Sequence, residues 1–127
     1  MQLRMEPKDG YLLAALSGKV SLEEAISTIG TVLAACREQA VNRILVDVRG
    51  VDGSSSVLDR YFLGTHFAQS EMQRVRTAMV CREDQWMADR PLENTAVNRG
   101  ANFKATRSLD EALEWLGAAG TPVAGGG

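Results

Sequence analysis

Residues 50 to 61 read GVDGSSSVLDRY, three serines in a row ahead of a stretch with helical spacing. Hydroxyls in that place can do three kinds of chemistry. One can accept from a free backbone N–H and cap the helix. A turn opened by Gly53 and running into a helix start can hold a phosphate, because free N–H groups and the positive end of the dipole meet there. A serine can also receive a phosphate itself, which changes the local charge without unfolding the domain. Ser56, with Asp59 three residues on, fits the cap, and Ser54 and Ser55 then serve as small turn residues. Asp47 and Asp52 lie just upstream and join Ser54 as candidates for contact with a ligand or partner.

The remaining reactive inventory is thin. His66 is the one histidine, set inside a predicted helix (FLGTHFAQ), where a structural or solvated imidazole is the plainer reading than a general base. Cys36 and Cys81 each sit in an apolar run and read as buried, reduced thiols. No CxxC or HxxxH spacing suggests a metal, and neither a GxSxG elbow nor a Walker glycine–lysine loop occurs. The acidic pairs Glu23-Glu24 and Asp110-Glu111 open helices, where carboxylates complement the dipole. A binding protein without a cofactor is expected rather than an enzyme. Trp86 and Met87 stand out as two large apolar side chains inside a polar loop, REDQWMADRP. Either Trp86 folds back as a lid on the core, or the pair meets a ligand, a partner or a second copy in a homodimer.

The elements that must position these residues follow from periodicity. Met1, Leu3 and Met5 alternate with polar residues, Pro7 to Gly10 turn the chain, and Tyr11 to Leu16 return it, so a hairpin is expected. Ser21 and Glu24 have capping-box spacing ahead of an apolar stripe through Leu22, Ile26, Ile29, Leu33, Cys36 and Ala40. RILVDV (Arg43 to Val48) and TAMVC (Thr77 to Cys81) are short apolar runs suited to central parallel strands. A helix is predicted from Val57 to about Val75, carrying Tyr61 and Phe62, and another from Pro91 to Arg99, with Gly100 just past its end. A short strand around Phe103 to Ala105 precedes a second capping box, Ser108 with Glu111, opening LDEALEWL.

The resulting order, β-β-α-β-α-β-α-β-α, predicts one α/β domain over residues 1–117. Its sheet should be mixed, mostly parallel and four- or five-stranded, with helices packed mostly on one face. Residues 118–127, GAAGTPVAGGG from Gly117 on, are expected to be a disordered tail. In such a sheet, ligands lie beyond the carboxyl ends of the parallel strands, which singles out the loops Arg49 to Ser56 and Arg82 to Arg90. A net charge of −2 with Lys and Arg scattered among acids excludes a nucleic-acid footprint. No apolar run is long enough for a membrane span and none at the start resembles a signal peptide, so a cytoplasmic location is expected.

A strand hairpin, a capped helix, the buried strand LVDVRGV and a serine-rich turn opening the next helix together resemble the STAS domain of anti-sigma-factor antagonists. The likeness is to the SpoIIAA-like (STAS/SEC14-like) subgroup and covers about residues 3 to 117, closing on NFKATR and SLDEALEWL. It implies a regulatory module whose partner is an anti-sigma factor or kinase, switched by phosphorylation of a serine in an Asp-Ser-Ser/Thr-Gly-hydrophobic turn. With Leu58 as the hydrophobic position, Ser56 is the acceptor, Ser54 replaces the acid and Val57 the glycine. Shifted by one, Ser55 is the acceptor, with Gly53 and Ser56 at those two positions. The SEC14-like side of the resemblance implies instead a small apolar ligand or lipid under the helices, with Trp86, Met87, Tyr61 and Phe62 near its mouth.

Overall fold

The computed structural model describes residues 1–53, 56–69, 74–87, 90–98, 100 and 102–117. Five strands and four helices follow in the order β1 (Gln2–Lys8), β2 (Tyr11–Gly18), α1 (Leu22–Gln39), β3 (Arg43–Val51), α2 (Val57–Gln69), β4 (Arg76–Val80), α3 (Pro91–Asn98), β5 (Phe103–Thr106) and α4 (Leu109–Leu116). A 3-10 turn, Glu83–Gln85, lies between β4 and α3. The sheet order is β1-β2-β3-β4-β5. β1 is antiparallel to β2, and every other pair is parallel, with RILVDV beside TAMV from Ile44↔Thr77 to Asp47↔Val80. This is the α/β architecture that the alternation of patterns predicts.

Period two divides the strand residues between two cores. On one face Leu12, Ala14, Ile44, Phe103 and Ala105 meet Val32, Ala35 and Cys36 of α1 and Ala96 of α3. On the other, Leu45, Ala78 and Val80 meet Ala112 and Leu116 of α4. Helices therefore cover mainly one face, with α4 alone on the second. At the starts of β3 and β4, Arg43 and Arg76 reach the end of α4. Arg43 donates to the Gly117 carbonyl at 2.6 Å, and Arg76 donates twice to the Trp115 carbonyl while stacking 4.0 Å from the Trp115 ring. Cations there satisfy the last carbonyls and oppose the negative end of the dipole.

Local capping follows the sequence in α1. The Ser21 hydroxyl accepts from the Glu24 N–H and the Glu24 carboxylate from the Ser21 N–H, both at 3.0 Å. The second box forms only by half. Ser108 caps α4 by accepting from the Glu111 N–H, but the Glu111 carboxylate turns to the buried Thr106 hydroxyl, which in turn accepts from the Ser108 N–H. The helix expected to reach Val75 is described as far as Gln69. Residues 70–73, Met72 included, lie outside the described residues, and Val75 is buried at the entry to β4, where the Arg76 N–H donates to the Asn42 carbonyl. Among the described residues no helix is long and apolar enough to cross a membrane. The tail, 118–127, also lies outside them.

Candidate functional site

Because β2 runs parallel to β3, the loop that follows it also lies beyond the carboxyl ends of the strands. The β2–α1 loop joins the β3–α2 and β4–α3 loops, tied to the former by the Asp52 N–H donating to the Gly18 carbonyl at 2.9 Å. The reading from sequence misses this loop because the hairpin with β1 hides the direction in which β2 pairs on its other side.

The 3-10 turn after β4 holds the β3–α2 loop in place. Gln85, 5% exposed, donates from its amide to the carbonyls of Val48, Val51 and Gly53, while its oxygen accepts from the Arg82 N–H at 2.8 Å. The Arg82 guanidinium donates to the carbonyls of Arg49, Val51 and Gly53 and pairs with Asp84. From α2, Arg60 reaches back to the Gln85 carbonyl at 2.6 Å. A chain leaving a strand edge has carbonyls with no ladder partner, and an arginine fork beside a glutamine amide supplies enough donors for several of them. The chain from Val48 to Gly53 is thereby held by side chains from another loop. The Ser56 hydroxyl accepts from the Asp59 N–H at 3.1 Å, which is the expected cap.

Two neighbouring cavities lie beside these loops. The outer one, about 260 Å³, is walled by residues of all three loops, including Ser21, Asp52, Ser56, Asp59, Arg60 and Gln85. The inner one, about 120 Å³, lies between the sheet and α1, α2 and α3, and its walls are apolar apart from Thr28. Leu16, Ala25, Val48, Leu63, Met79 and Leu92 wall both. Burial lowers the Arg60 guanidinium from its ordinary value, partly offset by the neighbouring Cys81, and raises the Cys81 thiol, which stays protonated as part of the wall.

The residues singled out from sequence separate into distinct places. Asp52 and Ser56 line the outer cavity, whereas Ser54 and Ser55 lie outside the described residues. Tyr61 and Phe62 stand out from α2 at 45% and 49% exposure, edge to face with ring centroids 6.0 Å apart. Trp86 instead packs against the core, and the Arg107 guanidinium, paired with Glu83, lies 4.6 Å from its ring. Its cover comes from within the chain, and Met87 beside it is half-buried. None of Trp86, Met87, Tyr61 and Phe62 lines either cavity, and Ser21, Asp52, Ser56 and Arg60 line the outer one.

Asp47 is elsewhere again, in a shallow trough on the α4 side of the sheet with Gln2, Arg4, Ala15 and Gly50. There Arg49 grips both of its oxygens, at 3.0 and 2.9 Å. His66 is exposed in α2 and lines neither cavity, and both cysteines are free and buried. Among the described residues no cluster of His, Cys, Asp or Glu could hold a metal. The sequence reading misses Arg60, Arg82 and Gln85, whose roles depend on contacts across loops. The nearest local signal is Arg82 and Gln85 three residues apart, at the span of one tight turn.

The chain has the SpoIIAA-like fold. Its structure is similar to that of an anti-sigma factor antagonist from Mycobacterium paratuberculosis, at a TM-score of 0.61 and 19% identity, over 91% of this chain and 92% of that one. An uncharacterized protein from Shewanella loihica with a SpoIIAA-like fold matches at 0.52 and 20% identity, covering 91% and 92%. A Ser-to-Glu variant of RsbS from Moorella thermoacetica matches at 0.56 and 12% identity, covering 91% and 95%. No protein-family model and no curated protein matches the sequence.

Proposed function

We propose that this chain is a regulatory, protein-binding module of the anti-sigma-factor-antagonist kind, occupying residues 1–117 and acting in the cytoplasm. Its partner, an anti-sigma factor or a kinase, meets the β3–α2 turn and the exposed start of α2. The observation that carries this is the clamp from Arg82 and Gln85 onto the carbonyls of Val51 and Gly53, which holds the entry to the turn in place. A preformed surface loses less conformational freedom on binding. Beside it, Tyr61 and Phe62 offer the aromatic area that protein interfaces favour. The anti-sigma factor antagonist with the same fold supports the reading.

Ser56, or Ser55 in the shifted register, is the proposed phospho-acceptor. A phosphate there would carry about −1.5 to −2 charges at the N-terminus of α2, where the helix tolerates it and a partner would feel it. Pull-downs with wild type, Ser55→Asp and Ser56→Asp test the switch: one Asp variant should lose a partner that the matching Ala variant keeps. Identical partner sets from all of them end the phospho-switch reading. Loss of partner by Tyr61→Ala and Phe62→Ala, with the fold intact by circular dichroism, is expected if α2 is the contact surface.

A second reading, a binder of a small apolar ligand, is favoured by one observation: an apolar cavity lies beside a second one whose walls also carry polar groups, and the two share six wall residues.

A further inference from the structure

The two cavities share six wall residues and differ in chemistry, so they are immediate neighbours with unlike walls. The inner end is walled by such residues as Val32, Val46, Met79 and Phe103. An apolar void of about 150 Å³ stays dry and admits a benzene-sized molecule, and the inner chamber, about 120 Å³, is of that order. A dry void leaves its walls without contacts on one side, so an apolar guest of fitting size gains both dispersion and burial.

The outer end sets the head. Among the described residues its charged walls are Asp52, Asp59 and Arg60, two carboxylates against one guanidinium. The starts of α1 and α2 both face it, yet each already carries acids in its first turn, Glu23 and Glu24 in α1 and Asp59 in α2. Those carboxylates neutralise the positive dipole ends that would otherwise draw an anion. Arg60 is engaged with the Gln85 carbonyl. What the rim offers a guest is donors and acceptors without a net positive field.

Resting on the second reading above, we propose that the two cavities act as one passage, which takes an uncharged amphipathic molecule, with a hydrocarbon or aryl end of about six carbons in the inner chamber and a hydroxyl- or amide-type head at the rim between Asp52 and Arg60.

The Met79 methyl group, in the wall of both chambers, reports occupancy directly by NMR. Titration of the full chain with 1-hexanol should shift that methyl saturably. Hexanoate at pH 7 should bind at least tenfold more weakly, and 1,6-hexanediol, which would bury a hydroxyl in the inner chamber, should leave the signal in place. Ala25→Phe, which places a ring where both chambers meet, should abolish the shift. Leu63→Trp is the second plug, at a half-exposed position, and circular dichroism checks the fold of both variants. Hexanoate binding as well as hexanol would overturn the uncharged head while leaving a ligand-binding function standing. Equal shifts from the diol would overturn the placement of the tail. No shift from any of the three probes would overturn both the passage and the reading beneath it.

Discussion

The two faces of the sheet are packed in different ways. On one, α4 lies close against β3, β4 and β5, helped by alanines at the contact, Ala78 and Ala112, neither exposed at all. Its last carbonyls are fastened by Arg43 and Arg76. On the other, α2 has α1 and α3 rather than any strand as its close neighbours, and the space beneath holds both cavities. Interiors are ordinarily packed as densely as organic crystals, so a void kept on one face while the other is closed marks a division of labour. The α4 face is packed close, and the three-helix face keeps room.

The largest effect should come from breaking the closed face. Leu116 is 1% exposed, and Leu116→Ala should cost about 2 to 5 kcal/mol, because a rigid, well-fastened helix cannot collapse into the gap. Leu63→Ala, at the half-exposed wall of an existing cavity, should cost less than about 2 kcal/mol. Urea unfolding would measure both from the shift in midpoint at constant slope. Equal losses would erase the distinction between the faces.

A second test lies where the open face is tightest. Replacing glycine by alanine inside a helix ordinarily gains about 0.5 to 1 kcal/mol. At Gly64, however, a methyl group would come within 2.8 Å of Thr95 Cβ and 2.9 Å of the Leu92 carbonyl oxygen. The second neighbour is backbone, so α3 itself must move. Gly64→Ala should therefore lose about 1 to 3 kcal/mol, and because Leu92 walls both cavities it should alter the passage as well. A raised melting temperature would mean that α2 and α3 are not held in this contact.

How much of this was legible in the sequence depends on the range of the signal. Ser21 and Glu24 satisfy each other three residues apart, so their spacing alone reveals the α1 cap, and the branched residues of RILVDV and TAMVC reveal two neighbouring strands. Gln85 shows nothing of the kind. Its value is that a loop thirty-odd residues upstream presents carbonyls to it, and no periodicity encodes that. Asp47 and Asp52, five positions apart, read as one site, yet Asp47 lies in the α4-side trough while the chain carries Asp52 on to the outer cavity. Glu111 had the right spacing for a capping box and a better partner in Thr106, a competitor visible only in three dimensions.

A smaller change, and one of opposite sign, is expected at Thr77. It lies in β4 on the three-helix side with no exposure, and its hydroxyl has no hydrogen-bond partner among the described residues. An unpaired buried hydroxyl costs about 1 to 3 kcal/mol, so Thr77→Val, of nearly the same shape, should be neutral or stabilising by about 1 kcal/mol. The closed face has no such opportunity at Ala78 or Val80, whose side chains are apolar. A loss of more than about 1 kcal/mol would show that the hydroxyl is bonded after all, and that the open side is better matched than its cavities suggest.

The smallest effect belongs to the part of the α4-side face that α4 leaves bare, where Asp47 and Arg49 form their pair. Burial is the largest single influence on the Asp47 carboxyl and pushes it up, but the hydrogen bonds and charge of Arg49, with the charge of Arg4, together outweigh it and hold the group below its ordinary 3.8. The folded chain thus binds that proton less readily than the unfolded one. The pair's contribution is complete above the ordinary value and disappears as pH falls through the lower, folded value. With one-fifth of the Asp47 side chain exposed and Arg49 nearly half exposed, that contribution should stay under about 1 kcal/mol. Asp47→Asn should therefore lose little at pH 7 and show a shallower decline than wild type in urea midpoints taken below about pH 4. Matching declines would place the acid sensitivity of the fold elsewhere. A steeper contrast, above about 2 kcal/mol, would mean that the trough is drier than a surface pair allows and that this bare strip is a second packed region in its own right.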